Sequence, residues 1–375
     1  HELDEGIAEA KRLWGGGPHP KSRYFPKPFP GARFPIVCAN LVDEKTGKPI
    51  FAPYVVKRVG DVRIGFIGAV TEELPTVVTA AGLKGVRQLP VATAVNRWVG
   101  HLKKYGVRSI VALVHEGGSQ SPEREGGELT GPIREVVEAL DAEVDVVVSG
   151  HTHRYHNTFI GRTLVTQARN AGDAFAQISL TVDRGSADIV RKKAVVQYTT
   201  REDVTPASDV QKMVDGYVAL AAPRVNKVLG RLDVALPARG KEGDSLMGNY
   251  IADAQRIVCK ADIAFMNPGG IRAGLPQGDV TYGNLYAVHP FGNTISVLTM
   301  TGRQVKDALE QQWGPGSGGQ PREMMLFVSG LTYSYDAGGA YGSRIREVTM
   351  LDGAALSDTR DYRVAVNSFL AGGGE

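Results

Sequence analysis

The sequence predicts an α/β protein built as two domains, and three observations carry that prediction. Through the first half, apolar strand-like runs alternate with amphipathic helical runs, the pattern of a parallel sheet with helices packed on it. Several of those runs (GFIGAV, VALV, VDVVV) are apolar at nearly every position, as strands covered on both faces must be. A chain of 375 residues exceeds what one domain ordinarily holds, and 42% apolar with 22% charged residues is ordinary globular composition.

Taken in order, residues 1–14 carry Leu3, Ile7, Ala10 and Trp14 at helical spacing, and Gly15-Gly16-Gly17 ends the run. A proline-rich loop spans 18–35, and 36–41 reads as a strand. Residues 54–59 and 62–70 read as a hairpin about Gly60-Asp61. Residues 91–105 fit an amphipathic helix stopped by Gly106, with His101 on its surface. The strand at 108–114 runs directly into His115. A polar, glycine-rich loop follows over 116–131, then a helix over 132–140 with proline in its first turn. The strand at 144–149 runs directly into Gly150-His151-Thr152-His153. Short strands are predicted at 164–167, 176–182 and 194–198. A single helix at 209–222, bounded by Pro206 and Pro223, connects to a second unit. There the pattern predicts a helix over 247–259, a strand over 263–266, a loop over 267–274, a strand over 294–300 and a helix over 302–312. The expected boundaries are 1–203 for the first domain, 204–227 for a linker helix and 228–375 for the second domain.

Charge and cysteine usage exclude several classes. Lys and Arg number 43 against 40 Asp and Glu, a surplus of +3 with no basic block, so a nucleic-acid polymer is not the expected partner. No apolar run reaches the length of a membrane span. Cys38 and Cys259 lie too far apart in sequence to suggest a disulfide framework or a cysteine-based zinc site. Forty-six glycines are more than an average chain of this length carries, which suits loops shaped around ligands. The chain begins at His1 within a helical run and stops at Glu375 just after an apolar one. We read it as a fragment truncated at both ends, with any signal peptide lying upstream.

The chemistry concentrates at strand ends, where ligands gather in open α/β sheets. His115 and the pair His151 and His153 each follow a predicted strand, and imidazole is the commonest protein metal ligand. His156 reads either as part of this group or as a polar loop residue. His1 and Asp4, three apart at a helix start, share one face. A carboxylate beside an imidazole orients the ring and raises its pKa, making it a candidate general acid.

Three motifs of the first half, HELDEG (1–6), VHEGG (114–118) and GHTH (150–153), resemble in that order the calcineurin-like metallophosphoesterases. NPGGIR (267–272), HPFGN (289–293) and NSFLAGGG (367–374) resemble the C-terminal domain of the 5′-nucleotidase family, which includes UDP-sugar hydrolases and 2′,3′-cyclic-nucleotide phosphodiesterases. The resemblance covers essentially the whole chain. It implies a metallophosphoesterase domain of layered β-sheets flanked by helices, followed by a second α/β domain. It implies two divalent metal ions (Zn, Mn, Co or Mg) with His115, His151 and His153 among their ligands, and His1 as the catalytic histidine with Asp4 as its partner. The family's Asp-x-His and Gly-Asp motifs and its Asn ligand would lie before residue 1.

In the second domain the resemblance implies that Asn267, Gly270, Arg272, Phe291 and Asn293 bind the nucleoside. Arg272 also reads as a surface ion-pairing residue, and Phe291 as a core aromatic. Leu246 stands where some members carry an arginine, and the chain stops before the aromatic and Asp that follow the family's last glycine run. The implied activity is hydrolysis of nucleotide phosphate esters by a metal-activated water, in a protein exported from the cell. This fragment alone is expected to be weak or inactive. Cyclic-nucleotide phosphodiesterase and UDP-sugar hydrolase activities are the alternatives within the family, with thiosulfate-ester hydrolysis more distant. A non-catalytic nucleotide-binding module is the rival outside enzymes. Oligomeric state is not implied.

Overall fold

The structure, a computed structural model, describes residues 2–19, 29–78, 80–200, 204–238, 245–315 and 321–373. The chain divides into two compact units, 1–204 and 205–375.

The first unit is organised by a six-stranded sheet. Its strands are β1 (Tyr54–Val59), β2 (Val62–Val70), β3 (Ser109–His115), β4 (Val144–Ser149), β5 (Tyr155–Ile160) and β6 (Thr163–Ala168), in the spatial order β1-β2-β3-β4-β6-β5. The central strands β2, β3, β4 and β6 are parallel, and β1 and β5 close the edges antiparallel. One face packs on the helix Val91–Lys104, whose Val91, Val95, Val99 and Leu102 are buried with Ile67, Ile110 and Ala112 of the sheet. Each such side chain contributes about 1.5–3 kcal/mol on leaving water. On the opposite face Val111, Val146 and Leu164 pack with Ala194 of a long hairpin, Ala174–Asp183 and Asp188–Tyr198. The lone charge in VDVVV, Asp145, ties that hairpin down by pairing with Lys192 at 2.8 Å, both being largely buried. Burial pushes the Asp145 carboxyl above its ordinary pKa, against the opposing pull of Lys192.

Several sequence expectations are corrected. The first helix covers Ile7–Gly15, not 1–14, because Gly6 takes φ 89 and residues 2–5 form a turn closed by the Gly6 N–H on the Leu3 carbonyl. Residues 36–40 are not a strand. Pairing starts at Leu41–Asp43, which meets Val86–Gln88. The loop at 116–131 contains a small hairpin, Ser119–Ser121 with Glu128–Thr130. Strand β5, directly after the His-x-His turn, had no periodic signal strong enough to predict it. His101, expected on a helix surface, is half-buried, with its Nε2 3.1 Å from the Tyr54 hydroxyl.

The second unit opens with the helix Ser208–Val225, which runs past Pro223 where the sequence suggested a stop. Proline's own φ is helical and it forfeits one N–H, so the turn after it still closes, with the Asn226 N–H on the Ala222 carbonyl. The unit's four-stranded sheet comprises β7 (Ile263–Met266), β8 (Ile295–Thr301), β9 (Phe327–Ser329) and β10 (Asp361–Asn367), ordered β8-β10-β7-β9. Only β7 and β10 are parallel neighbours. The helix Leu246–Cys259 is capped by Ser245, whose hydroxyl accepts the Gly248 N–H at 3.0 Å. The helix Tyr282–Val288 was not predicted, although its capping box of Thr281 and Asn284 is written in the sequence.

Candidate functional site

The parallel pairing aligns three strand ends. Val70 of β2 registers with His115 of β3, and Val114 of β3 with Ser149 of β4, so the loops starting at Thr71, Glu116 and Gly150 leave the sheet side by side. This brings His115 and His151 together with ring centroids 5.3 Å apart, edge to face. His151 and His153 both occupy the left-handed region, at φ 72 and 57, and His153 is exposed. A left-handed turn at a non-glycine residue costs of order 1–3 kcal/mol, and such strain clusters at functional sites. The glycines of VHEGG have a packing reason. A Cβ on Gly117 would collide with the Thr152 side chain and the Gly150 carbonyl, so the two loops approach only because residue 117 has none.

The two paired histidines are pushed in opposite directions. Burial, then the neighbouring His151, lowers the pKa of His115. The hydrogen bond to Glu73 raises that of His151, with the Glu116 charge assisting against burial. His151 Nε2 stands 3.2 Å from Glu73 Oε2. Glu116, nearly fully buried, accepts from the Thr71 hydroxyl at 2.7 Å and from the Gly117 N–H at 3.0 Å. Sequence reasoning missed Glu73 and Glu116. The signals were their places three and two residues beyond the predicted strand ends at 70 and 114 and, for Glu116, its position within VHEGG.

The N-terminal turn belongs to the same neighbourhood. Glu2 is held below the usual carboxylate range, first by hydrogen bonding to its own backbone, with the His115 imidazole adding to it. Asp4 is half-buried in this turn, and His1 lies outside the described residues, so the helix start that was to align the pair begins instead at Ile7. His156 is fully buried and structural: its Nδ1 lies 3.0 Å from the Ser149 hydroxyl and its Nε2 3.2 Å from the Gly118 carbonyl. Two imidazoles, one kept neutral by burial, have the donor chemistry of a divalent-metal site. Among the described residues, however, no three His, Cys, Asp or Glu side chains converge to hold an ion. The donor types fit a divalent ion.

In the second unit the strands β7 and β10 end together, since Phe265 registers with Val366. Asn267 follows the first and Asn367 ends the second. Both are buried, and the Asn367 amide donates to Asn267 Oδ1 at 2.7 Å while its own Oδ1 accepts the Leu370 N–H at 2.9 Å. NPGGIR and NSFLAGGG are thus fastened to each other. Gly270 closes a 3₁₀ turn where an added Cβ would press on the Met266 methyl and the Asn267 side-chain amide. Arg272 is exposed, its backbone N–H bonded to the Val288 carbonyl at 2.8 Å and its guanidinium 5.2 Å from the Phe291 ring centroid. Phe291 is half-buried, outside the apolar clusters, and meets His289 edge-on at 5.5 Å. Asn293, two residues on, is half-buried. The structure therefore gathers Asn267, Gly270, Arg272 and Phe291 within one loop cluster.

Comparison with known proteins follows this division. Residues 228–375 match the family described as 5′-nucleotidase, C-terminal domain. The second unit is a 5′-nucleotidase C-terminal domain. The crystal structure of a 5′-nucleotidase precursor from Thermus thermophilus matches all of the chain and 73% of its own, at 27% identity and a TM-score of 0.75. Endonuclease YhcR of Bacillus subtilis is 33% identical over 99% of the chain, and cell wall protein Lmo0130 of Listeria monocytogenes is 32% identical over 100% of the chain. The chain spans 29% and 51% of those two relatives.

Proposed function

We propose that this chain hydrolyses phosphate esters of nucleotides, with the first unit carrying the chemistry and the second recognising the nucleoside. The observation that carries the reading is the pairing of His115 with His151 at adjacent parallel strand ends in a chain whose second unit matches the 5′-nucleotidase C-terminal domain. In this reading His115, His151 and His153 are metal ligands, and divalent ions, when bound, supply Lewis acidity and make water a nucleophile at neutral pH. Neutral His115 keeps a lone pair ready for such an ion. His1, aimed by Asp4, serves as general acid toward the departing oxygen. Asn267 holds the NPGGIR turn in shape through Asn367, and Gly270 lets that turn close. Arg272 presents a planar donor fork to ribose or phosphate oxygens, Phe291 stacks on the base, and Asn293 makes a polar contact to the nucleoside.

The relative named an endonuclease brings phosphodiesters into the substrate class as the second reading. A relative named a cell wall protein supports a location outside the cytoplasm, and among the described residues no helix is long and apolar enough to cross a membrane. The test is turnover of a panel of nucleoside monophosphates, 2′,3′-cyclic nucleotides, UDP-sugars and single-stranded DNA, with manganese and with chelator. Weak, chelator-sensitive phosphate release from monophosphates is expected of this chain. Binding of nucleotides without any turnover would replace the enzyme by a binding module.

A further inference from the structure

The contact between Glu73 and His151 joins residues 78 apart in sequence, and the loop that delivers the carboxylate is built to hold it. Glu73 follows β2 by three residues. Its backbone N–H donates to the Thr71 hydroxyl at 3.1 Å, and that hydroxyl donates in turn to the buried Glu116 at 2.7 Å. The Thr71 carbonyl accepts from Gln88, and the adjacent Glu72 is spent on the Val91 N–H at 2.8 Å, where it satisfies the first turn of the helix Val91–Lys104. Neighbouring carboxylates thus have separate tasks: Glu72 holds the loop to the helix, and Glu73 meets the imidazole. Around that ring stand Glu73, Glu116 and the His115 ring.

A neutral imidazole carries its proton on one nitrogen, and the acceptor facing one nitrogen decides which. With Glu73 Oε2 at 3.2 Å from Nε2, the proton belongs on Nε2 and the lone pair on Nδ1. We propose that Glu73 is a positioning residue for His151, fixing the Nε2–H tautomer and the ring orientation so that Nδ1 is the nitrogen offered to a divalent cation. The inference rests on the proposed reading of His151 as a ligand. Carboxylates in this position orient imidazole ligands and raise their basicity, and their removal typically costs 10- to 100-fold in metal affinity.

The experiment separates this assignment from the reading beneath it. Two-dimensional long-range ¹H–¹⁵N spectra of the metal-free chain above pH 8 report the His151 tautomer directly. The wild type is expected to show Nε2–H alone. Glu73→Ala is expected to show a mixture, Glu73→Gln, which keeps an acceptor, to restore Nε2–H, and Glu72→Gln to leave it untouched. Manganese titrations of the same samples, followed on the His151 resonances, are expected to show 10- to 100-fold weaker binding for Glu73→Ala and partial recovery for Glu73→Gln. Glu73 is half-exposed, so its replacement is compatible with a folded chain, and the amide spectrum verifies this. An Nδ1–H tautomer in the wild type, or an unchanged tautomer in Glu73→Ala, overturns the proposal. So does a lost tautomer with unchanged manganese affinity. A wild type with the expected tautomer that does not bind manganese would instead sink the reading of His151 as a ligand, while leaving the tautomer assignment standing.

Discussion

In the first unit His151 and His153 sit on left-handed backbone just past a strand end, and His115, which ends the neighbouring strand, faces His151 with an opposed pKa shift. In the second unit the polar residues at the strand ends, Asn267 and Asn367, are buried and hydrogen-bonded to each other, and the groups that face outward are an arginine over an aromatic ring. Both clusters stand at the carboxyl ends of parallel strands, yet the first pairs an imidazole with a carboxylate at its rim, while the second rests on a buried amide pair, with the His289 Nε2 beside Phe291 buried and without a hydrogen-bond partner among the described residues. Groups meant to handle an ion or a transferring proton must keep lone pairs unspent and tolerate strain. Groups meant to recognise a nucleoside can be held by a buried amide pair, which fixes the loop before any ligand arrives.

The largest effect that would sharpen this contrast is expected at His1. In the hydrolytically active protein His1→Asn should lower kcat by roughly 10²–10⁴, the usual range for a lost general acid, with metal content by atomic absorption unchanged. A variant that also lost its metal would make His1 a ligand and move it to the other role in the cluster.

Two substitutions of similar size in the second unit should report in different observables. Asn267→Ala strips the buried Asn367 amide of its 2.7 Å partner, which costs about 1–3 kcal/mol and about 2–4 °C of melting temperature per kcal/mol in a unit of this size. Phe291→Ala, cut from a half-buried ring outside the apolar clusters, should leave melting unshifted. It should raise KM for nucleoside monophosphates roughly 5- to 150-fold, the equivalent of a base-stacking energy of about 1–3 kcal/mol. Turnover of a small phosphate ester with no ring should barely change. Equal loss on both substrates with a lowered melting temperature would make Phe291 a core residue and erase the division between anchor and reader.

How far this was legible in the sequence depended on range. The buried strands β2, β3 and β4 and the helix over 91–104 were legible because their apolar periodicity is local. The histidines were legible because each follows such a strand. The motif match supplied the second unit's loop cluster. Glu73 and Glu116 were not legible, since Glu73 gains its meaning from His151, 78 residues away, and Glu116 from Thr71, 45 away. Residues 36–40 have strand-like composition, but Cys38 and Ala39 donate single backbone bonds to two different places, the Ala52 and Gly68 carbonyls, rather than forming a ladder, and composition does not reveal pairing. Asn367 was visible as a motif letter, but its bond to Asn267 follows from the parallel register of β7 and β10.

The smallest effect concerns the two shifted histidines, and its sign can be worked out in advance. His115 is lowered from the ordinary 6.5 by burial and by His151, so it stays neutral as pH falls through that value. His151 is raised by its bond to Glu73, so it keeps a second proton above it. In the metal-free chain the stabilisation from the His151–Glu73 pair is therefore complete below 6.5 and is lost as pH rises through the raised value. A divalent ion needs an unprotonated nitrogen, so His115 becomes ready at a lower pH than His151, which must release a proton to bind wherever the pH lies below its raised value. Metal affinity should then climb with pH by at most about tenfold per unit through a window above 6.5, set by His151, and flatten beyond it. Manganese calorimetry in two buffers of different ionisation enthalpy should find proton release on binding at pH values below the raised His151 value, vanishing at high pH. Affinity that rises only below 6.5 would mean that His115 is the controlling group. The first cluster would then be governed by burial, as the second is, rather than by an exposed carboxylate at its rim.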